Sequence, residues 1–354
     1  MLINFKLPFY SNMQCTYHSE EVFEFENGQT IPELTIGYTT IGTLNEEKDN
    51  VVWVCHALTA NADAQDWWKG VVGDNTVINP EKYFIVCANI LGSCYGTTGP
   101  LSNCKDTGEP YYNSFPDVTI RDMVKAHILL RKHLGIEKIR LLAGGSMGGY
   151  QALEWAIMEQ GRIQHLFLLA TSAAESAWGI AVHTTQRLAI EADSTFGLPI
   201  PEAGAKGLKA ARAVGLLTYR NYELMVQQQT DPDPDKTDGF KASSYIHYQG
   251  DKLVARFNAY SYYLLGKAMD SHNISRKRNG NIGDILASIK QPALLIGISS
   301  DILCPPEEQV HMASYLPECT YKEMDSKYGH DGFLIETKQI SAALQEWMEK
   351  YGLV

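Results

Sequence analysis

The sequence predicts an α/β protein: a mostly parallel, doubly wound sheet interrupted late in the chain by a block of helices. Three observations carry this. Short apolar runs of the kind shown by strands buried on both faces recur at 50–55, 83–90, 165–173 and 293–299, with helical stretches between them. Another run, Ile139, Leu141, Leu142 and Ala143, turns through Gly144-Gly145-Ser146-Met147-Gly148-Gly149 into a segment with Ala152, Leu153, Ala156 and Ile157 at helical spacing. From Trp178 to Ile285 the helical pattern continues without an obvious buried strand.

Taken in order, residues 22–42 read as an antiparallel opening. An alternating strand meets a turn at Asn27-Gly28, and a second β-rich run ends at Gly42. The strand at 50–55 runs into His56-Ala57-Leu58-Thr59, and a loop with Trp67 and Trp68 follows. After the strand at 83–90 comes the Gly/Cys/Thr-rich loop 92–100. Residues 119–134 form an amphipathic helix with Met123, Ala126, His127, Leu130 and Leu134 on one face and Gly135 as its stop.

The helix-rich block reads as a lid inserted at 176–285, between a first core part (1–175) and a second (286–354). Within it, the acidic loop 231–238 and the basic triplet Arg276-Lys277-Arg278 read as solvated. The strand at 293–299 leads to Asp301. A helix, a short strand at 321–324, a glycine-flanked loop holding His330 and a final helix at 338–351 complete the chain.

At 354 residues, 45% hydrophobic and 20% charged, the composition is that of a soluble globular protein. A net charge of −11 argues against nucleic acid as a main partner and leaves no basic face for a membrane, though a small anionic substrate needs only a local positive site. The seven cysteines are scattered with no C-x-x-C pair, which implies a reducing compartment, no structural zinc and no metal site. The opening stretch 1–14 lacks a long apolar segment, so a cytoplasmic location is expected.

The chemistry centres on Ser146. A serine at the apex of a strand–glycine turn–helix is the context of a nucleophile elbow. Side chains at Gly144 or Gly148 would clash as the backbone doubles back, and the helix start offers free N–H groups to an oxyanion. Serine is a poor nucleophile unless a base takes its proton, and that base needs an orienting acid. Ser146, Asp301 and His330 fall in the chain order of the α/β-hydrolase fold, and Asp301 follows the carboxyl end of a predicted strand. The N–H of Met147 and one near Leu58 are the expected oxyanion hole, with His56 shaping the Leu58 loop.

The segments YTTIGTLN, VCHALTA, DWWKGVVG, ANILGSCYGTTGP, FPDVTIRDMV, GGSMGGYQALEWA, QRLAIEAD, SYIHYQGDKLVARFNAYSYYLL, SDILCPPEE and GHDGFLIE run nearly end to end. In them the chain resembles the homoserine O-acetyltransferases, α/β-hydrolase-fold acyltransferases of methionine biosynthesis. The resemblance implies acetyl transfer from acetyl-CoA to L-homoserine by a ping-pong route through an acyl ester on Ser146. Acetyl-CoA is then a co-substrate, no cofactor is needed, and the enzyme is a homodimer. It also implies Arg187, in the Q-R-x-A-I segment, and Asp331 as substrate-binding residues. A guanidinium fork and a carboxylate would complement the acceptor's carboxylate and ammonium.

Tyr150, Ser93 and the Ala60-Asn61-Ala62 run depart from the family pattern near the expected acyl pocket. Alternatives with the same triad are succinyl transfer to homoserine or serine, and an esterase or thioesterase. A catalytically dead binding protein does not fit a chain that keeps all three triad residues.

Overall fold

The computed structural model describes residues 13–354, so most of the opening stretch 1–14 lies outside the described residues. In chain order the elements are β1 (Met13–Ser19), β2 (Phe23–Glu24), β3 (Thr30–Ile31), β4 (Leu34–Ile41) and β5 (Val51–Cys55), then the one-turn α1 (Ala64–Trp67) and β6 (Phe84–Ala88). Next come α2 (Ile120–His133), β7 (Leu141–Gly145), α3 (Met147–Met158) and β8 (Leu166–Leu169). Between β8 and the next strand lie α4 (Ala177–Glu191), α5 (Ala205–Tyr219), α6 (Tyr222–Gln229), α7 (Lys241–Val254), α8 (Ala259–Asp270) and α9 (Ile282–Ser288). The chain closes with β9 (Ala293–Ile298), α10 (Pro306–Tyr315), β10 (Cys319–Met324), α11 (Gly332–Ile335) and α12 (Thr337–Lys350).

Eight strands form one sheet in the order β1-β4-β6-β5-β7-β8-β9-β10. From β6 to β10 every neighbouring pair is parallel, while β4 pairs antiparallel with both β1 and β6. The continuous apolar runs follow from burial on both faces. In β5, Val51, Trp53 and Cys55 pack into one core layer with residues of α2 and α3, including Met123, Leu130, Leu153 and Trp155. Val52 and Val54 point the other way, toward Trp68 and the α12 residues Ile340, Leu344 and Trp347. Alternate side chains of a strand face opposite sides, so each layer takes every second residue.

The opening differs from the sequence reading. Asn27-Gly28 does turn a hairpin, but it joins only the two-residue strands β2 and β3. The longer β4 is separate and pairs with β1 instead. Pro32, between β3 and β4, has no N–H to continue a ladder, so the two runs cannot form one strand. The loop expected around Trp67 contains the single helical turn α1, and Trp68 is wholly buried, its indole N–H donating to the Phe333 carbonyl at 3.0 Å.

Of the basic triplet only Lys277 is exposed, as expected; Arg276 and Arg278 are not solvated. Arg276 grips both oxygens of Glu26 at 2.8 Å each, and Arg278 reaches Glu154 at 2.6 Å. Arg121 of α2 bridges the same two carboxylates, at 3.0 Å from Glu26 and 3.2 Å from Glu154. This largely buried network ties the β2–β3 turn and α2 to α3 and the segment before α9. Carboxylates so far from each other in sequence gave no sign of it. Among the described residues no helix is long and apolar enough to cross a membrane.

Candidate active site

The strands β7, β9 and β10 all end on the same side of the sheet, and each leads into one member of the expected triad. Ser146 follows β7 with φ +54° and ψ −129°, a conformation that L side chains rarely adopt. Its tightness explains the flanking glycines. A Cβ on Gly144 would lie 2.2 Å from the Gly148 carbonyl oxygen, and one on Gly148 would lie 2.1 Å from that of Cys55. Asp301 lies just past β9 and His330 just past β10, in a short 3-10 turn.

The three side chains meet. The Ser146 hydroxyl is 2.8 Å from His330 Nε2, and His330 Nδ1 is 2.7 Å from Asp301 Oδ2. A carboxylate only accepts, so the proton sits on Nδ1 and Nε2 is left to accept from the serine. The other oxygen of Asp301 takes the N–H groups of Leu303 and Cys304 at 2.8 and 3.0 Å, which fixes the carboxylate's direction. Burial works against a charged imidazole here. The Asp301 carboxylate and its hydrogen bond, then Asp331 and Glu175, outweigh it and hold His330 above its ordinary value. The site is thus set to receive a proton and keep it during a reaction.

Asp301, Cys304 and His330 each present a potential metal ligand atom within 4.8 Å of the others. The set does not suit an ion. Both Asp301 oxygens already accept hydrogen bonds, and burial holds the Cys304 thiol well above its ordinary range, in its protonated form.

Ser146 and His330 open on a cavity of about 390 Å3, which Leu58, Asp331 and Arg212 also line. Met147, the first residue of α3, is fully buried directly behind Ser146. Among the described residues neither the Leu58 N–H nor the Met147 N–H donates to a protein acceptor. The Leu58 loop is held by His56, whose Nδ1 donates to the Ala57 carbonyl at 2.8 Å while Nε2 accepts from the Ile90 N–H at 3.1 Å. Burial lowers His56 to about 4, so it remains the neutral tautomer that this bridge needs.

Residues 50–337 match the family described as alpha/beta hydrolase fold. Among curated proteins, the chain is 48% identical over 334 residues to a homoserine O-acetyltransferase of Cyclobacterium marinum, covering 94% of this chain and 95% of that protein. It is 40% identical over 348 residues to one of Trichormus variabilis, covering 98% and 96%. The chain belongs to the homoserine O-acetyltransferase family. Among solved structures, the homoserine O-acetyltransferase of Bacillus anthracis superposes with a TM-score of 0.88 at 23% identity, covering 95% of this chain and 97% of the other. An esterase, E22, superposes with 0.86 at 22% identity, covering 96% and 100%. At that identity, the two show a shared fold.

Of the two residues expected to bind the family's acceptor, only Asp331 lines the cavity. Its carboxylate is 3.1 Å from Arg220, and burial raises it despite the opposing charges of Arg220, His330 and Arg212. Arg187 is not at the cavity. It lies on the side of α4 that faces α8, where its guanidinium meets Asp270 at 2.6 Å and the Thr184 hydroxyl at 3.0 Å. Two guanidinium groups line the cavity instead: Arg256, which donates to the Thr59 carbonyl and the Tyr95 hydroxyl, and Arg212 of α5, 5.4 Å over the Tyr219 ring. Among the described residues Arg212 has no carboxylate partner, and its Nε is buried without a hydrogen bond.

A signal for Arg212 was present in the sequence. It lies four residues after Leu208 and three before Gly215, both buried, so a charge stands beside the apolar stripe of α5. The departures also sort by position. Ala60 and Asn61 line the catalytic cavity. Ser93 lines a separate one of about 340 Å3. Tyr150 stacks on His272 at 4.1 Å and donates to Glu175 at 3.0 Å.

Proposed function

We propose that this chain transfers an acetyl group from acetyl-CoA to the hydroxyl of L-homoserine through an ester on Ser146. One observation carries the reading. The Ser146–His330–Asp301 relay opens on the same cavity as an arginine without a carboxylate partner, Arg212, and a carboxylate, Asp331. A hydrolase of plain esters has no use for that pair, whereas an amino-acid acceptor offers a carboxylate to the first and an ammonium to the second. The names of the curated relatives point the same way.

In this mechanism the Ser146 hydroxyl attacks the thioester carbonyl as His330 takes its proton, and the oxyanion is held by the N–H groups of Leu58 and Met147. His330 returns the proton to the departing thiolate of CoA. The homoserine hydroxyl then attacks the ester carbonyl as His330 removes its proton, and His330 passes that proton to the departing Ser146 oxygen as the acyl group moves to homoserine. Asp301 stabilises the imidazolium in both halves and does not itself carry the proton. Acetyl-CoA is a co-substrate, and no cofactor takes part in these steps.

The reaction belongs to methionine biosynthesis, in a reducing cytoplasm. The assembly is a homodimer, for which the exposed apolar side chains of the α4–α6 block, such as Trp178, Leu188, Leu217 and Tyr222, offer a surface. The test is acetyl-CoA without acceptor: the peptide carrying Ser146 should gain one acetyl mass, and initial-rate plots against homoserine should be parallel. Intersecting plots with no acyl-protein would rule out the ester route.

A further inference from the structure

The catalytic cavity has a second histidine. His183 of α4 lines it and is 4% exposed. Its Nδ1 lies 2.9 Å from Asp270 Oδ1 at the end of α8, and the other oxygen of Asp270 is 2.6 Å from Arg187 Nη2. His183 and Arg187 are four residues apart on one helix, so both reach the same carboxylate from consecutive turns. Asp270 can only accept, which places the His183 proton on Nδ1 and leaves a lone pair on Nε2. Among the described residues Nε2 has no hydrogen-bond partner, yet it is not one of the buried polar atoms lacking one. That edge of the ring is therefore accessible from the cavity.

We infer that His183 is a specificity residue for the acceptor, its Nε2 accepting a hydrogen bond from the acceptor's ammonium group, with Asp270 and Arg187 as the positioning residues behind it. This rests on the reading of the site as an acyl-serine transferase with an amino-acid acceptor. An ammonium group brings three N–H donors. Asp331 is already paired with Arg220, so the ammonium needs a further acceptor, and a carboxylate ligand would instead need donors of the kind Arg212 supplies. The chain of contacts also accounts for Arg187, which the family resemblance singled out and which does not line the cavity.

The test compares two acceptors on the acetylated enzyme: homoserine, and 4-hydroxybutyrate, which keeps the carboxylate and hydroxyl but lacks the ammonium. In His183→Ala the preference for homoserine, as the ratio of kcat/KM values, should fall about 10- to 150-fold, the range for one hydrogen bond to a charged group. His183→Leu, which keeps the volume, should show the same fall and stands in if the alanine variant does not fold. Arg187→Ala should lower the same ratio, with Arg187→Lys recovering much of it, a pattern that loss of fold would not give. An unchanged ratio in folded His183→Ala or His183→Leu overturns the assignment and leaves the acyl-serine reading intact. A wild-type enzyme that forms no acyl-serine overturns both.

Discussion

Replacing Arg212 by alanine tests the acceptor site at the residue on which the reading most depends. The guanidinium has no carboxylate partner among the described residues, so the change breaks no ion pair of the resting protein. It removes a contact over the Tyr219 ring, a half-buried cation–π pair of roughly 0.5–2 kcal/mol, so the variant should fold. The larger loss falls on the ligand. One charge-assisted hydrogen bond is worth roughly 1.5–3 kcal/mol, which converts to about 10- to 150-fold in kcat/KM for homoserine, with more if the contact is bidentate.

The loss should appear in deacylation. Stopped-flow release of CoA from acetyl-CoA alone reports acylation, in which the acceptor takes no part, and it should fall far less than turnover with homoserine. A pH signature goes with this. Burial raises the Asp331 carboxyl, and Arg212 is one of the charges opposing that rise. Without Arg212 the carboxyl should rise further, so the acidic limb of kcat/KM for homoserine should move to higher pH. Equal losses in both half-reactions, with no movement of that limb, would refute Arg212 as the acceptor's carboxylate anchor.

Three other outcomes are expected. Gly148→Ala must push its new Cβ off the Cys55 carbonyl oxygen, 2.1 Å away and part of the backbone, so it should cost at least about 1–3 kcal/mol in urea unfolding and remove the acyl-enzyme burst. A variant with normal stability and burst would contradict the elbow geometry. Asp301→Asn should slow turnover by about a thousandfold or more, yet less than Ser146→Ala, because the acid orients and stabilises His330 without transferring a proton. Near-normal kcat would mean that another carboxylate holds His330.

The third concerns His127, whose two ring nitrogens are buried without partners between Trp53 and Trp155. Burial lowers it to about 3 against an ordinary 6.5. The unfolded chain therefore binds a proton between those values that the folded chain does not, and this residue's contribution to stability falls as pH drops below 6.5. His127→Phe should remove that contribution, so its stability relative to wild type, read by urea unfolding, should be better at pH 5 than at pH 7. The same difference at both pH values would show that His127 is not the group involved.

Where the chemistry lies in contiguous residues, it was legible from the sequence alone. The apolar runs name the strands because a strand covered on both faces must be apolar throughout. Gly144, Ser146 and Gly148 announce the elbow because its clashes arise between residues a few positions apart. The order Ser146, Asp301, His330 announces the relay because each follows a strand whose carboxyl end the sheet brings to one side.

What the tertiary structure decided was direction. Arg187 and Arg212 both stand on helices of the block between β8 and β9, and only the rotation of α4 and α5 against their neighbours turns one to Asp270 and the other to the cavity. The same holds for Arg276 and Arg278, which find Glu26 and Glu154 from far along the chain, and for β4, which pairs with β1 and β6. A local sequence carries its own backbone constraints, but the partner of a charged side chain depends on how distant helices pack.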